Sequence, residues 1–258
     1  MNSGQHELIL ARLHLEGVLG VIPEFFRRAP EAKELLEKNP FALRFATSEG
    51  LSQTLRFDSK GAQLSDQGSS LSTLTLFFLG NSQLNRLFLR NGLSVPLPLG
   101  NPLLLPKLLF FQRLMAVLEP KLKSVKMPRN VPQNPLDLWL QFLVALHGLD
   151  AVGTLDPKVI PALKKCPPGL AEFSIHETEY VASVEWTGEH VITRAGKNPR
   201  PADVRIAFAH QDVLELALRQ ELDQMAAGPL GQVYVSGFLP LAEALGIVSD
   251  RISHYLQP

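Results

Sequence analysis

The densest group of titratable side chains is His176, Glu177 and Glu179. An imidazole this close to two carboxylates could hold a metal or move a proton. The group falls between two strand-like runs, however, and reads better as a solvated hairpin. His14-Leu15-Glu16 has the His-x-Glu order of zinc deaminases but lacks the cysteine pair that completes such a site, so His14 reads as part of an amphipathic helix. Glu185 beside Trp186, and Asp203 beside Val204, fall on an outward face by strand alternation. Cys166 is the only cysteine and cannot form an internal disulfide or a multi-cysteine metal site. In the turn-like Lys165-Cys166-Pro167-Pro168 it reads as an ordinary thiol, which suits a reducing compartment and a cytoplasmic location. No G-x-S-x-G elbow, Walker loop, G-x-G-x-x-G or H-E-x-x-H occurs. The expectation is a protein that is not an enzyme, with no catalytic residues, no metal and no cofactor.

The elements that surround these residues are those of a globular chain. Its 258 residues allow one large domain or two of ordinary size. A hydrophobic share of 45% with 19% charged residues is far from disorder. Lys+Arg and Asp+Glu both total 25, so no cationic surplus exists to meet phosphates, and nucleic acid is not an expected partner. The N-terminus lacks the basic, cleavable pattern of a signal peptide. Leu71 to Leu118 is the most apolar region, but Asn81, Asn85, Arg86, Arg90 and Asn91 interrupt it, as do four prolines from Pro96 to Pro106. No uninterrupted apolar stretch reaches the ~18–20 residues of a membrane span, so the chain reads as soluble.

One pattern is written twice. Leu74, Leu76 and Phe78 alternate as on a strand, and Val204, Ile206 and Phe208 repeat them 130 residues later. Leu84 and Phe88, at helical spacing, are answered by Leu214 and Leu218. Phe41 to Phe45 stands against Ala171 to Ile175, again 130 apart, and Leu55 and Phe57 against Val184 and Trp186 at 129. Each half opens with a helical pattern, over Leu8 to Leu19 and Leu138 to Leu149. The second half reads as strands near 170–177, 180–187, 189–195 and 202–209, then a helix over 211–222. A short strand over 231–237 and a helix over 239–256 follow. The predicted division is a first domain over 1–118, a proline-rich, charged linker over 119–135, and a second domain over 136–258.

The last stretch carries a resemblance. Ala202-Asp203-Val204-Arg205-Ile206-Ala207-Phe208 leads into an amphipathic helix and the loop Met225-Ala226-Ala227-Gly228. Gly231-Gln232-Val233-Tyr234-Val235-Ser236-Gly237 and a final helix come next. In order and spacing this resembles the sterol carrier protein-2 family. The resemblance covers most of 170–256 and, through the repeat, extends weakly to 41–118. It implies an α+β fold, here in two tandem copies, each a mainly antiparallel five-stranded sheet covered on one face by helices, with an apolar tunnel between. The first copy departs where Ser94-Val95-Pro96-Leu97-Pro98-Leu99-Gly100 replaces the glycine-bounded strand, since two prolines restrict it to an edge strand or an extended loop.

A lipid tail needs a long apolar lining with few polar groups. The inward candidates are Phe173, Ile175, Val184, Trp186, Val204, Ile206, Phe208, Leu214, Leu218, Met225, Val233, Val235, Leu241, Leu245 and Ile252. The expected function is non-catalytic binding and transfer or presentation of a hydrophobic ligand: a sterol, fatty acid, acyl-CoA, phospholipid or isoprenoid. The alternatives are an accessory or scaffold protein of a lipid or isoprenoid quinone pathway, and an enzyme using His176 or Glu185 as base. The expected partner is a lipid, with transient membrane-surface or enzyme contact. Lys121, Lys123, Lys126 and Arg129 of the linker could meet anionic headgroups.

Overall fold

The structure is a computed structural model that describes residues 3–36, 39–65, 72–89, 94–123, 125 and 133–256. The chain divides into two compact units, 1–120 and 121–258.

In the first unit, α1 (Ser3–Arg12) runs on through a π-helical stretch, Leu13–Val18, and is followed by α2 (Ile22–Arg28) and α3 (Pro30–Lys33). Strands β1 (Phe41–Thr47), β2 (Ser52–Asp58), β3 (Gly61–Ser65) and β4 (Thr73–Phe78) come next. The unit closes with α4 (Asn81–Leu89), β5 (Leu97–Gly100), a 3-10 turn at Pro102–Leu104 and α5 (Lys107–Leu122). The sheet order is β3-β2-β1-β4-β5, with β1 and β4 parallel and the other three pairs antiparallel. Alternation puts Phe41, Leu43 and Phe45 of β1 on one face, opposite Phe57, Leu55 and Gln53 of β2. That face is closed by phenylalanines. Phe41 stacks on Phe57 at 5.1 Å, and Phe110 of α5 packs edge-on to both at 5.3 and 5.0 Å. Phe111 sits 5.2 Å from Phe45.

The second unit begins with α6 (Pro135–His147), α7 (Leu149–Leu155) and α8 (Ile160–Lys165), then β6 (Gly169–Ile175), β7 (Val181–Trp186), β8 (Val191–Ala195) and β9 (Val204–Phe208). It ends with α9 (Gln211–Leu218), α10 (Gln224–Ala227), β10 (Val233–Gly237) and α11 (Leu239–Leu256). Its sheet order, β10-β9-β6-β7-β8, is that of the first unit strand for strand, with β6 and β9 as the parallel pair. Asn134 starts α6 by accepting the Leu136 N–H at 2.9 Å, and Pro135, which has no N–H to satisfy, occupies the first helical position.

The paired strands fix the repeat register. Leu43 pairs with Leu55 and Leu74, while Ala171 pairs with Val184 and Val204. Leu43 therefore corresponds to Ala171, an offset of 171 − 43 = 128, not the 130 expected for this strand. The offset is 129 for Leu55 and Val184 and 130 for Leu74 and Val204, as expected. A two-residue slip keeps every side chain on its face, so alternation alone cannot detect it. Gly100 corresponds to Gly237, each opposite the first apolar residue of its partner strand. Both have positive φ, +112° and +101°. β5 is the edge strand that its prolines require.

Other expectations need correction. The stretch 119–122, expected to open a linker, is the last turn of α5, with Pro120 inside the helix. Lys126, Arg129 and most of the remaining linker lie outside the described residues. The helix expected over 211–222 stops at Leu218, and Gln220, at φ 60°, turns the chain out of it. The helical run Pro135–Leu155 is long and apolar enough to cross a membrane by length and composition, contrary to the sequence reading. Leu138, Trp139, Leu140, Leu143, Leu146 and Leu149 of that run are buried in the second unit.

Candidate functional site

The two faces of the second sheet differ in chemistry. On the inner face, under the helices, lie Gly169, Ala171, Phe173 and Ile175 of β6. Beside them are Trp186 and Val184 of β7, Val204, Ile206 and Phe208 of β9, and Val233 and Val235 of β10. Phe142 of α6 packs its ring 5.7 Å from Phe173 and 5.4 Å from Phe208. Thr193 Oγ1 of β8 donates to the Leu146 carbonyl at 2.7 Å, fixing α6 at the other edge of the sheet. A Cβ built on Gly169 would come within 3.0 Å of Leu241 Cδ2, so α11 crosses close to the start of β6. The outer face carries ion pairs: Glu185 with Arg194 and Arg200, both at 3.4 Å, Asp203 with Arg200 at 3.5 Å, and Glu172 with Arg205 at 3.8 Å.

Most of the apolar candidates come together on this inner layer. Phe173, Ile175, Val184, Trp186, Val204, Ile206, Phe208, Leu214, Leu241, Leu245 and Ile252 are all buried. Leu218 and Val233 are half-buried. Two of the candidates are exposed instead. Val235 points to the inner face, opposite Ile206, yet is 44% exposed. Met225, expected to line the pocket, is 89% exposed on α10. Leu230, Tyr234 and Leu239, which are not among the lining candidates, are exposed in the same part of the chain. Alternation had marked which face Val235 takes but carries no information on whether a helix covers it. The layer under α9, β10 and α11 is thus apolar, free of titratable groups on its strands, and incompletely closed along β10.

An ion cluster holds the far end of α11. Asp156, fully buried after α7, accepts from Arg251 Nε at 2.6 Å and Tyr255 Oη at 2.8 Å through Oδ2, and from the Lys158 N–H at 2.9 Å through Oδ1. Burial works against the charged carboxylate, but the hydrogen bonds from Arg251, Lys158 and Tyr255 outweigh it and hold its pKa below the usual range. Burial and the same carboxylate push the Tyr255 hydroxyl up to about 12.

The residues with catalytic potential lie elsewhere. His176 and Glu177 are strongly exposed in the β6–β7 turn, 3.9 Å apart, and Glu185 is tied to two arginines on the outer face. His14 is buried, with Nδ1 3.0 Å from Asn85 Oδ1 and its ring stacked on Phe88. Burial lowers its pKa to about 4 despite the Asn85 hydrogen bond. Cys166 is buried and burial pushes its thiol up, the opposite of an activated nucleophile. Among the described residues, no three His, Cys, Asp or Glu side chains are grouped to hold a metal. A shallow concavity of about 370 Å3 lies in the first unit, at Arg44, Ala46, Ser52, Thr75, Phe77 and Leu99, on the side of the sheet away from the phenylalanine layer.

No family model matches the chain, and no curated protein does. Sterol carrier proteins are among the solved structures it is similar to. A UbiJ-SCP2 ubiquinone synthesis protein has 17% identity and a TM-score of 0.33, over 40% of this chain and 86% of that one. The sterol carrier protein domain 2 of Helicoverpa armigera has 14% identity and a TM-score of 0.35, over 50% and 98%. The stereoselective inverting sec-alkylsulfatase Pisa1 from Pseudomonas sp. has 20% identity and a TM-score of 0.31, and the match spans 15% of that enzyme.

Proposed function

We propose that the second unit binds a hydrophobic ligand on the inner face of its sheet and carries or presents it without chemistry. The observation that carries this reading is Val235, which faces the helix-covered layer but is 44% exposed, beside a strand whose neighbours Ile206 and Phe208 are buried. An apolar tail entering there would cover Val233 and Val235 and gain roughly 25 cal/mol for each Å2 of apolar surface removed from water. The ion pairs of the outer face give no comparable place for it. Ligands of this chemistry include sterols, fatty acids, acyl-CoAs, phospholipids and isoprenoids. The buried single thiol fits a reducing, cytoplasmic setting.

The test is titration of the whole chain with a fluorescent fatty acid. Val235→Asp puts a carboxylate at the opening, where it stays hydrated in the free protein and would be desolvated by a bound tail. Binding should weaken by about tenfold or more, at ~1.4 kcal/mol per decade, with thermal unfolding little changed. Unchanged binding by a folded variant moves the ligand away from β10. No binding by the parent chain, and no lipid retained in native mass spectrometry, favours an accessory role in a lipid or quinone pathway.

A further inference from the structure

We propose that the outer face of the first sheet binds a small organic anion, one carboxylate on an apolar body, in the concavity beside Arg44. The two outer faces, compared in the same register, carry opposite charge at their centres. Arg44 of β1 takes the position of Glu172 in β6, and Arg56 of β2 that of Glu185 in β7. Thr75 of β4 takes that of Arg205, and Thr73 that of Asp203 just before β9. In the second unit these charges are paired: Glu172 with Arg205, Glu185 with Arg194 and Arg200, Asp203 with Arg200. In the first, both acids have become arginines and their partners hydroxyls. Arg44 has Ser52 Oγ at 3.4 Å as its side-chain partner, and Arg56 is exposed. Among the described residues neither arginine has a carboxylate partner. Asp58, at the end of β2, is turned to its own loop and accepts the Lys60 N–H at 2.7 Å.

The shape of the concavity sets the rest of the ligand. Ala46 lies between Ser52 on β2 and Phe77 on β4, so a methyl group forms the floor. Arg44, Ser52 and Thr75 supply donors, while Phe77 and Leu99 supply an apolar wall. The second unit has Ala207 and Ser236 where the first has Phe77 and Leu99, so cation and wall occur together in the first unit alone. A guanidinium meets a carboxylate with two parallel N–H···O bonds, and one half-buried arginine balances a single charge better than a phosphate dianion. The volume of about 370 Å3 is that of a small-molecule site. An acidic peptide is the competing occupant. The β1–β2 turn at 47–51 bounds one end of the concavity, and Pro96 and Pro98 have no N–H to pair with an added strand, both of which favour the small molecule. This site is independent of ligand binding by the second unit.

The experiment is an NMR titration of the whole isotope-labelled chain with phenylbutanoate at low salt, in parallel with the uncharged phenylbutanamide. The acid should give saturable shifts at the amides of Ala46, Ser52, Thr75 and Phe77, with a Kd of about 1 mM or tighter. The amide should bind at least about fivefold more weakly, and added salt should weaken the acid alone. Arg44→Gln should lower affinity for the acid about fivefold, the upper end for an ion pair open to solvent, and remove its salt dependence. Leu99→Ser should lower affinity for both probes about threefold by thinning the apolar wall. Circular dichroism and thermal unfolding verify the fold of each variant, and the amide and salt arms need no variant. Absence of saturable shifts, or shifts confined to the second unit, overturns the proposal. So does phenylbutanamide that binds as tightly as the acid, or a folded Arg44→Gln that binds like the parent. A glutamate-rich peptide that saturates these amides where phenylbutanoate does not also overturns it, in favour of a protein partner.

Discussion

The first unit has Phe41 and Leu43 on its central strand where the second has Gly169 and Ala171. The helices follow the same rule. α5 presents Phe110 and Phe111 to its sheet, whereas the buried side chains of α11 include Leu241, Ala244, Leu245 and Val248. One strand order thus supports two kinds of interior. The first is filled by stacked and edge-on rings, whose area stabilises the unit and leaves the face to structure. The second keeps rings at Phe142, Phe173, Trp186 and Phe208 but has small residues at the start of β6 and aliphatic ones on α11, and Val235 of β10 is 44% exposed. The same contrast appears in the buried acids. Glu24 is paired locally with Arg27 and Arg28 of its own helix, while Asp156 is paired with Arg251, 95 residues away on α11. The first unit locks its closing helix with rings; the second pins one end of its own with charge.

The largest effect that follows is at Asp156. Asp156→Ala removes one partner of a buried pair and leaves Arg251 and Tyr255 without their acceptor, which should cost the second unit about 4 kcal/mol by urea unfolding. Equal loss of stability in both units would break the comparison.

Glycine at the edge strands gives the next test. A Cβ at Gly237 would sit 2.2 Å from the Asp203 carbonyl oxygen, and one at Gly100 2.8 Å from that of Thr73, both at positive φ. Gly237→Ala should cost about 3 kcal/mol and Gly100→Ala less, since strain at such φ adds to the closer contact. The reverse order would show that β5 is held more firmly than β10.

Acid should weaken both units. His14 in the first is lowered to about 4 by burial against its Asn85 hydrogen bond, and His147 in the second to about 4 by burial alone. Each folded-state value lies below the unfolded one, so the stability is present above about pH 6.5 and is lost as pH falls toward 4. Between pH 7 and 5 each histidine should remove about 2 kcal/mol, measured by thermal unfolding and abolished by His14→Gln or His147→Gln in its own unit. Asp156, whose pKa is lowered, adds loss only below about pH 4, as its carboxyl is protonated.

Much of this plan was legible from residue order. Alternation in Leu74-Thr75-Leu76-Phe77-Phe78 and its copy placed β4 and β9, and α11 runs from Leu239 to Leu256 as its i, i+4 stripe predicted. Leu241, Leu245, Val248 and Ile252 of that stripe are buried, so a charge there tests folding more than binding. The register of β1 was not legible, because 128 and 130 give the same faces. Nor were α2 and α8, each too short for periodicity to register and each opened by a proline near its first residue. The exposure of Met225 and Val235 depends on where neighbouring helices stop, which a one-dimensional pattern does not encode.

The central claim is that the second inner face has room that the first lacks, and Ala171→Leu tests it by giving β6 the residue that β1 carries at Leu43. Fluorescent fatty-acid titration and urea unfolding are measured on the same variant. The account predicts stability within about 1 kcal/mol of the parent, because the added methylenes occupy ligand space, and binding weakened by about tenfold or more. A variant destabilised by about 2–3 kcal/mol that still binds like the parent would contradict it, for the face would then be a filled core like that of the first unit.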